Sequence, residues 1–200
     1  MSSAIIYLDG SAVRLNTKHH VSLGWGLVVL ANDKQVEHHG AYRVPKALSA
    51  YHEQVALVEA VLYAHREGLA PEEVVFYTDD AIARNAQEGL HPGNCRAAWT
   101  SQLQGRIEQL ARELYDADTW RLVKAYLQQT RLNKLKSHRN LVYNHRVDYL
   151  ARNAAYSLKE TPREVINYDD WLAAGFVRYV DNDTTETWYA PYTNSLPSSH

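Results

Sequence analysis

An α/β fold is predicted for this 200-residue chain, with a five-stranded mixed sheet flanked by helices and a small C-terminal extension. Three short β-rich segments come first, and the first long helical segment follows them. A continuous apolar run, VVFYT, comes after that helix and is typical of a strand covered on both faces. The helical segments that follow are interrupted by one more strand, and this order favours a mixed sheet packed against helices.

The first three strands are predicted from the segments AIIYLDG, SLGWGLVVLAND and KQVEHHGAYRV. Each is short, rich in β-forming residues and bounded by residues that favour turns. Asn32 and Asp33 stand between the second and third segments, and both residue types tolerate the left-handed backbone of a tight turn. The sequence therefore predicts a hairpin at this point.

The first helix is predicted over SAYHEQVALVEAVLYAHREG, where Ser49 can cap the first turn and Gly68 can end the helix. Its residues are apolar nearly all round, which is typical of a helix at the centre of a fold. The strand VVFYT follows after Pro71.

The second half of the predicted domain is mainly helical. AIARNAQEG is predicted to form a short helix. CRAAWTSQLQGRIEQLARELY is predicted to form an amphipathic helix whose apolar face holds Trp99, Leu103, Ile107, Leu110 and Leu114. Asp118 can cap a helix over TWRLVKAYLQQ. TRLNKLKSH is typical of a last, partly exposed strand before a helix around NHRVDYLARNAAYSL.

We place a domain boundary near Pro162, with one domain over residues 1–158 and an extension over 159–200. The extension is predicted to hold a short helix around DDWLAAG, a hairpin formed by FVRYV and TETWYA, and a disordered tail.

Composition narrows the classes of protein to which the chain can belong. A hydrophobic fraction of 46% and a net charge of −2 are ordinary for a globular domain. Cys95 is the only cysteine, so no internal disulfide can form, and the N-terminus lacks the pattern of a signal peptide. No apolar run approaches the ~20 residues that a membrane span needs. We expect a cytoplasmic monomer that does not associate with membranes.

Four acidic residues interrupt apolar surroundings. Asp9 ends the first strand, Glu53 lies in the first turn of the central helix, Asp79 follows the fourth strand, and Asp148 lies in the last long helix. A buried carboxylate is unfavourable unless it is paired or bound to a cation, so four of them indicate a shared site. Each one taken alone is better explained as a helix cap or as a strand-end charge that reaches water, and only the four together favour the shared site.

Six segments together resemble the ribonuclease H type 1 family over residues 4–157. In the family's order they are YLDGS, GWGLVV, HEQVALVEAV, YTDD, DTWRLVKAYL and NHRVDYLAR. The resemblance implies a ribonuclease H-like fold for the first domain. It also implies an endonuclease that hydrolyses the RNA strand of RNA·DNA hybrids and leaves 3′-hydroxyl and 5′-phosphate ends.

The resemblance further implies that Asp9, Glu53, Asp79 and Asp148 hold two Mg²⁺ ions, for which Mn²⁺ should substitute. Carboxylate oxygens suit both metals, and a pair of such ions neutralises the charge that develops during phosphodiester hydrolysis. His138, ten residues before Asp148, matches the family's mobile histidine and is expected to shuttle a proton or to help product leave. A solvated loop histidine is the alternative.

The substrate is expected to contact a basic segment, residues 121–152, in which Asp148 is the only acidic residue. Cations beside an acidic metal site can hold phosphates, although part of them are expected to be solvated surface charges. The residues that we expect to bind the nucleic acid are Asn16, Ser49, Lys134, Lys136, Arg139, Asn144 and Arg146.

Two departures from the family affect specificity. Ser49 and Ala50 replace the asparagines that read the RNA 2′-hydroxyls, and the basic protrusion of some members is missing. A nuclease of the same fold that cuts DNA or structured RNA is therefore an alternative function. A third possibility is a non-catalytic nucleic-acid-binding module, which the intact acidic quartet disfavours.

Overall fold

The computed structural model describes residues 4–15, 18–79, 101–134, 142–159, 176–180 and 187–191. Its strands are β1 (Ala4–Arg14), β2 (His20–Ala31), β3 (Lys34–Pro45), β4 (Val74–Thr78), β5 (Arg131–Lys134), β6 (Phe176–Val180) and β7 (Thr187–Pro191). Its α-helices are α1 (His52–Arg66), α2 (Ser101–Leu114), α3 (Ala117–Leu127) and α4 (Val142–Ser157). The predicted ribonuclease H-like α/β fold, with its five-stranded mixed sheet, is confirmed, and the strand order is β3-β2-β1-β4-β5.

Strand β1 lies at the centre of this sheet. It is antiparallel to β2, where Asp9 pairs with Gly26, and parallel to β4, where Tyr7 pairs with Tyr77. Strand β5 is parallel to β4 and forms one edge of the sheet. The parallel pairing runs to Tyr7 and Tyr77, so Asp9, in the middle of β1, lies beside the carboxyl end of β4. The prediction that Asp9 ends the first strand was wrong, because antiparallel pairing with β2 continues β1 to Arg14.

The hairpin between β2 and β3 turns at Asn32 and Asp33, as predicted. Both residues have positive φ, 51° and 58°, and Ala31 pairs with Lys34 across the turn. Two successive left-handed residues give the tight turn whose twist matches that of the flanking strands.

Helix α1 begins later than the sequence indicates. A 3₁₀ turn over Lys46–Tyr51 precedes it, Tyr51 takes the N-cap position, and no side chain caps this end. The prediction that Ser49 caps the helix was therefore wrong, because Ser49 lies inside the preceding turn. The other end is as predicted, since Gly68 follows the helix with a φ of 69°.

Helix α3 is capped by Asp116, whose Oδ1 accepts from the Thr119 N–H at 2.7 Å. Asp118 lies inside the first turn and pairs with Arg121 at 2.6 Å. The prediction that Asp118 caps this helix was wrong by two residues, because two aspartates compete for the position and only Asp116 has the extended backbone of a cap.

The sheet packs against helices on both faces. The larger apolar cluster joins Ile6, Leu8 and Phe76 of the sheet to α1, α2 and α3. The smaller cluster joins Val28 of β2 to α4. Helix α1 is buried at every residue from Gln54 to Val61, as a helix in the centre of a fold must be.

A buried carboxylate fixes α1 within the larger cluster. Glu59 Oε1 accepts from the Tyr42 hydroxyl at 2.5 Å and from the Tyr115 hydroxyl at 2.6 Å. Burial, followed by the interaction with Glu59, raises the pKa of Tyr42 to about 12, and the same causes raise the pKa of Tyr115. Both tyrosines therefore remain donors at neutral pH, and they tie α1 to β3 and to the end of α2.

In the C-terminal extension, β6 and β7 pair antiparallel, with Phe176 opposite Pro191, which agrees with the expected hairpin. The expected helix around DDWLAAG and the tail lie outside the described residues, as does the helix over AIARNAQEG. The boundary between residues 158 and 159 stays a prediction. No helix in the described part of the chain has the length and apolar character of a membrane span.

Candidate active site

Three of the predicted acidic residues come together where β4 ends beside the middle of β1. Asp9 lies in β1, Glu53 lies in the first turn of α1, and Asp79 directly follows β4. Each offers one carboxylate oxygen, and these oxygens all lie within 4.8 Å of one another. We call these three residues the carboxylate cluster.

The fourth residue, Asp148, lies beside the cluster on α4. The negative charge of Asp148 raises the pKa of Asp9, but Asp148 does not belong to the three residues whose oxygens lie within 4.8 Å of one another. Its Oδ1 also pairs with Arg152 one turn further along the helix, at 3.1 Å. The structure therefore gathers three of the four predicted ligands tightly and places the last at the rim, with a basic partner.

Asp9 is the most buried member of the cluster, with 6% of its surface exposed. Burial raises the pKa of this carboxyl well above its usual range, and the negative charges of Glu53, Asp79 and Asp148 raise it further. The Gly10 N–H, which donates to Asp9 Oδ1 at 2.8 Å, acts in the opposite direction. A bound cation would offset the crowded negative charge and would therefore stabilise the ionised form of Asp9.

The cluster fits a hard divalent cation. Its donors are carboxylate oxygens from three separate elements, which is the ligand type that Mg²⁺ and Mn²⁺ prefer. Burial, together with the like charges around it, raises the pKa of Asp9, and a bound cation would lower that pKa again.

Two glycines allow the elements of the site to approach. A Cβ at Gly10 would overlap the His52 carbonyl and stand 2.7 Å from the Glu53 nitrogen, so only glycine lets the start of α1 lie against β1 here. A Cβ at Gly26 would stand 2.6 Å from the Val147 carbonyl oxygen. The two close contacts set the positions of Glu53 and Asp148 relative to Asp9.

Helix α4 is also held to the site by polar and aromatic contacts. Buried Asn144, predicted as a substrate-binding residue, donates through Nδ2 to Asp79 Oδ2 in a long hydrogen bond of 3.5 Å. Tyr7 stacks on Tyr77 with ring centroids 5.1 Å apart, and Tyr143 packs on Tyr7 at the same distance. This tyrosine stack joins the three elements that carry Asp9, Asp79 and Asp148.

Arg146, another predicted substrate-binding residue, is engaged elsewhere. Its guanidinium donates to both carboxylate oxygens of Glu37, at 2.8 and 2.7 Å, and it lies over the Tyr149 ring. This bidentate pair joins α4 to β3 and neutralises the charge that a phosphate would need.

Of the remaining predicted site residues, the structure describes two, one of them without its side chain. Ser49 lies in the 3₁₀ turn before α1, where its carbonyl oxygen is 3.0 Å from His52 Nδ1. Lys134 ends β5, and its side chain is outside the described part of the chain. Asn16, Lys136, His138 and Arg139 also lie outside the described residues.

Sequence reasoning missed one residue next to the cluster and one that contacts the turn before α1. His52 immediately precedes Glu53, and its Nε2 lies 3.6 Å from Glu53 Oε1. Arg106 of α2 lies over the Tyr51 ring and donates to the Ala50 carbonyl oxygen at 3.3 Å. The histidine beside a candidate metal ligand was visible in YHEQ, whereas the role of Arg106 depends on a contact between distant segments.

Comparison with known proteins agrees with this architecture. Residues 1–156 match the family model of RNase H. A ribonuclease H from Syntrophomonas wolfei is 30% identical over 161 residues, which cover 79% of this chain and 99% of that protein.

Solved structures are similar at lower identity. The prototype foamy virus protease-reverse transcriptase is 16% identical, with a TM-score of 0.50, over 78% of this chain and 21% of that one. RNase H1 from Halobacterium salinarum is 15% identical, with a TM-score of 0.46, over 76% of this chain and 96% of that one.

Proposed function

Because this chain belongs to the RNase H family, we propose that it is a metal-dependent endonuclease that hydrolyses the RNA strand of RNA·DNA hybrids. Its products would carry 3′-hydroxyl and 5′-phosphate ends. The observation that supports this proposal best is the carboxylate cluster, whose oxygens lie within 4.8 Å of one another where β4 ends beside its parallel neighbour β1.

In this proposal Asp9 and Asp79 hold the ions most directly, Glu53 completes one ion site and Asp148 the other. When bound, two Mg²⁺ or Mn²⁺ ions would neutralise the negative charge on the attacking and leaving oxygens. The buried surroundings of Asp9 keep the cluster out of bulk water, where its charge would be screened. His138 would assist proton transfer or product release.

The nucleic acid would be held by cations near the cluster. Within the basic segment, Arg146 and Arg152 are engaged with Glu37 and Asp148, so we assign substrate binding to Lys134, Lys136 and Arg139. Lys134 ends β5, and Lys136 and Arg139 lie in the sequence between β5 and α4, which carries Asp148. A Lys136→Glu variant should weaken hybrid binding and reduce the dependence of binding on salt.

One cleavage experiment tests the proposal and its alternatives. Labelled RNA·DNA hybrid, double-stranded RNA and double-stranded DNA are incubated with the protein in Mg²⁺, in Mn²⁺ and in EDTA. Asp79→Asn should abolish cleavage, and Asp118→Asn, which alters an exposed aspartate of α3, should leave it unchanged. Asp80, the next residue in the sequence after Asp79, is not a predicted metal ligand but adds a negative charge, so Asp80→Asn should mainly change the rate.

The pattern of substrates decides between functions. Metal-dependent cleavage of the hybrid alone supports the proposal. Cleavage of duplex DNA or structured RNA without the hybrid would favour the alternative nuclease, and binding without any metal-dependent cleavage would favour a non-catalytic module.

A further inference from the structure

His52 is placed beside the carboxylate cluster but is not part of it. It is the first residue of α1, directly before Glu53, and 34% of its side chain is exposed. Its Nδ1 lies 3.0 Å from the Ser49 carbonyl oxygen. Because a carbonyl oxygen can only accept, this contact requires a hydrogen on Nδ1.

The other ring nitrogen is therefore an acceptor when the imidazole is neutral. Nε2 lies 3.6 Å from Glu53 Oε1, which is too long for a hydrogen bond between the two. Two acceptor atoms at this separation can both face one hydrogen-bond donor, at about 2.8–3.0 Å from each. An anionic phosphate oxygen is disfavoured here, since it would meet two acceptors, one of them charged.

The turn that carries His52 is held in place by α2. The Tyr51 hydroxyl donates to Gln109 Oε1 at 2.6 Å, and the Arg106 guanidinium donates to the Ala50 carbonyl oxygen while lying 5.6 Å from the Tyr51 ring centroid. These contacts, with the bond to Ser49, fix the direction of the imidazole before any ligand arrives. A fixed acceptor can discriminate between ligands that do and do not offer a donor.

We propose that His52 determines specificity by accepting a hydrogen bond from a ribose 2′-hydroxyl of the RNA strand. This inference rests on the proposed function and names the residue that would distinguish RNA from DNA at the site. The 2′-hydroxyl is the neutral donor that RNA has and DNA lacks. Ser49 and Ala50 offer no side-chain amide for this purpose, and Ser49 instead orients His52 through its carbonyl oxygen.

The test compares His52→Ala and His52→Gln with wild type on a short hybrid and on hybrids that carry one 2′-deoxynucleotide at each RNA position in turn. Gln keeps an acceptor at the reach of Nε2, whereas Ala removes it. His65→Ala is the matched control, because His65 is an exposed histidine in the last turn of the same helix. Cleavage, equilibrium binding of the hybrids in Ca²⁺, and stabilisation by Mn²⁺ are measured for each variant.

We expect His52→Ala to lower kcat/KM on the all-ribose hybrid about 3- to 10-fold, the range for one lost hydrogen bond. It should cause no further loss on the hybrid whose critical 2′-hydroxyl is already absent. His52→Gln should recover part of the activity, and stabilisation by Mn²⁺ should be the same in all variants.

Three results would overturn the inference. Equal losses on ribose and 2′-deoxy hybrids would show that His52 does not contact the hydroxyl. A loss of Mn²⁺ stabilisation in His52→Ala would make the imidazole a metal ligand. A His52 effect that disappears when inosine replaces guanosine, but persists in 2′-deoxy hybrids, would assign the contact to the guanine amino group.

The outcomes also separate this inference from the proposed function. If wild type cleaves nothing, the proposed function fails, and the preference of His52 for ribose is judged from binding alone. If wild type cleaves the hybrid and His52→Ala has unchanged preferences, only the inference fails.

Discussion

Gly26 pairs with Asp9 across β1 and β2, and it faces the backbone of α4 at Val147 with no room for a side chain. Asp148 is the next residue of α4. The separation between the sheet and this helix, and with it the distance from Asp148 to the carboxylate cluster, therefore depends on the glycine.

A Gly26→Ala substitution should displace α4, because the nearest atoms to the new Cβ include the Val147 carbonyl oxygen, which cannot rotate away. We expect a loss of about 1–3 kcal/mol in the free energy of unfolding, together with weaker metal binding. Urea denaturation with and without Mn²⁺ measures both. Gly105→Ala is the control: its Cβ would meet nothing within 4 Å in α2, so stability should rise by about 0.5–1 kcal/mol. Equal behaviour of the two variants would contradict the steric explanation.

The raised pKa of Asp9 predicts how the metal-free protein responds to pH. Between the usual carboxyl pKa of 3.8 and the raised value, the folded protein holds a proton that the unfolded chain has lost. The stability from this protonation is full below the lower pKa and is lost as pH rises through the higher one. In EDTA, Asp9→Asn should therefore become more stable than wild type as pH rises towards neutrality.

Bound metal should reverse the order of stability of wild type and Asp9→Asn. Mg²⁺ or Mn²⁺ at 100 times its dissociation constant should stabilise wild type by about 2.7 kcal/mol and Asp9→Asn by much less. Thermal or urea unfolding at pH 5 to 8 gives both comparisons. Identical pH profiles of wild type and Asp9→Asn in EDTA would argue against the charge crowding.

The Arg146 and Glu37 pair predicts a separate acid-sensitive contribution. The hydrogen bond from Arg146 lowers the pKa of Glu37, so its stabilisation is present above the usual value of 4.5 and is lost as pH falls through the lowered one. Because both side chains are about a quarter exposed, we expect only about 1 kcal/mol or less, decreasing with salt. Arg146→Lys should lose this stability, since an ammonium cannot reproduce the bidentate geometry.

A variant that removes the charge decides whether Arg146 contacts substrate. If the guanidinium serves only Glu37, Arg146→Gln and Glu37→Gln should both lower stability and leave the salt dependence of hybrid binding unchanged. A smaller salt dependence in Arg146→Gln, but not in Glu37→Gln, would restore Arg146 to the substrate surface.

We expect the tyrosine stack to support metal binding through the packing of its rings, without a contribution from the hydroxyl groups. Tyr143→Ala removes the contact with Tyr7 and frees the first turn of α4, which carries Asn144. We expect stability to fall by about 0.5–1.5 kcal/mol and Mn²⁺ affinity to fall as well. Tyr143→Phe should preserve both.

Tyr156→Ala provides the comparison at the other end of α4, where the ring contacts Lys159 and not the stack. It should change Mn²⁺ affinity little, whatever its effect on stability. A similar loss of affinity in both alanine variants would indicate a general weakening of the helix.

Local patterns were sufficient to predict much of this fold and part of the site. Strand segments, the Asn32 and Asp33 turn and the Gly68 helix end follow from backbone preferences that a few neighbouring residues determine. Asp9 and Asp79 could be predicted to meet because each directly follows a short apolar segment, and parallel pairing aligns those two segments. The continuation of β1 past Asp9 to Arg14 depends on pairing with β2 and was not predicted.

Contacts between distant segments account for most of what the sequence did not predict. Arg146 is a plausible phosphate ligand in isolation, and only folding reveals its partner Glu37, 109 positions away. Ser49 is a good cap by composition, but the 3₁₀ turn carries it away from the helix start. Asp116 and Asp118 differ in backbone conformation and not in residue type.

Glu59 and Glu53 lie on the same helix with opposite surroundings, since Glu59 is satisfied by two tyrosine donors while Glu53 faces other carboxylates. The anchoring of α1 therefore does not depend on an ion. The metal site is assembled when the chain folds, and an incoming ion has to shed water and displace the proton from Asp9 where that carboxyl is protonated. Metal binding should be a rapid, reversible equilibrium. The free metal concentration should therefore control activity without changing the fold.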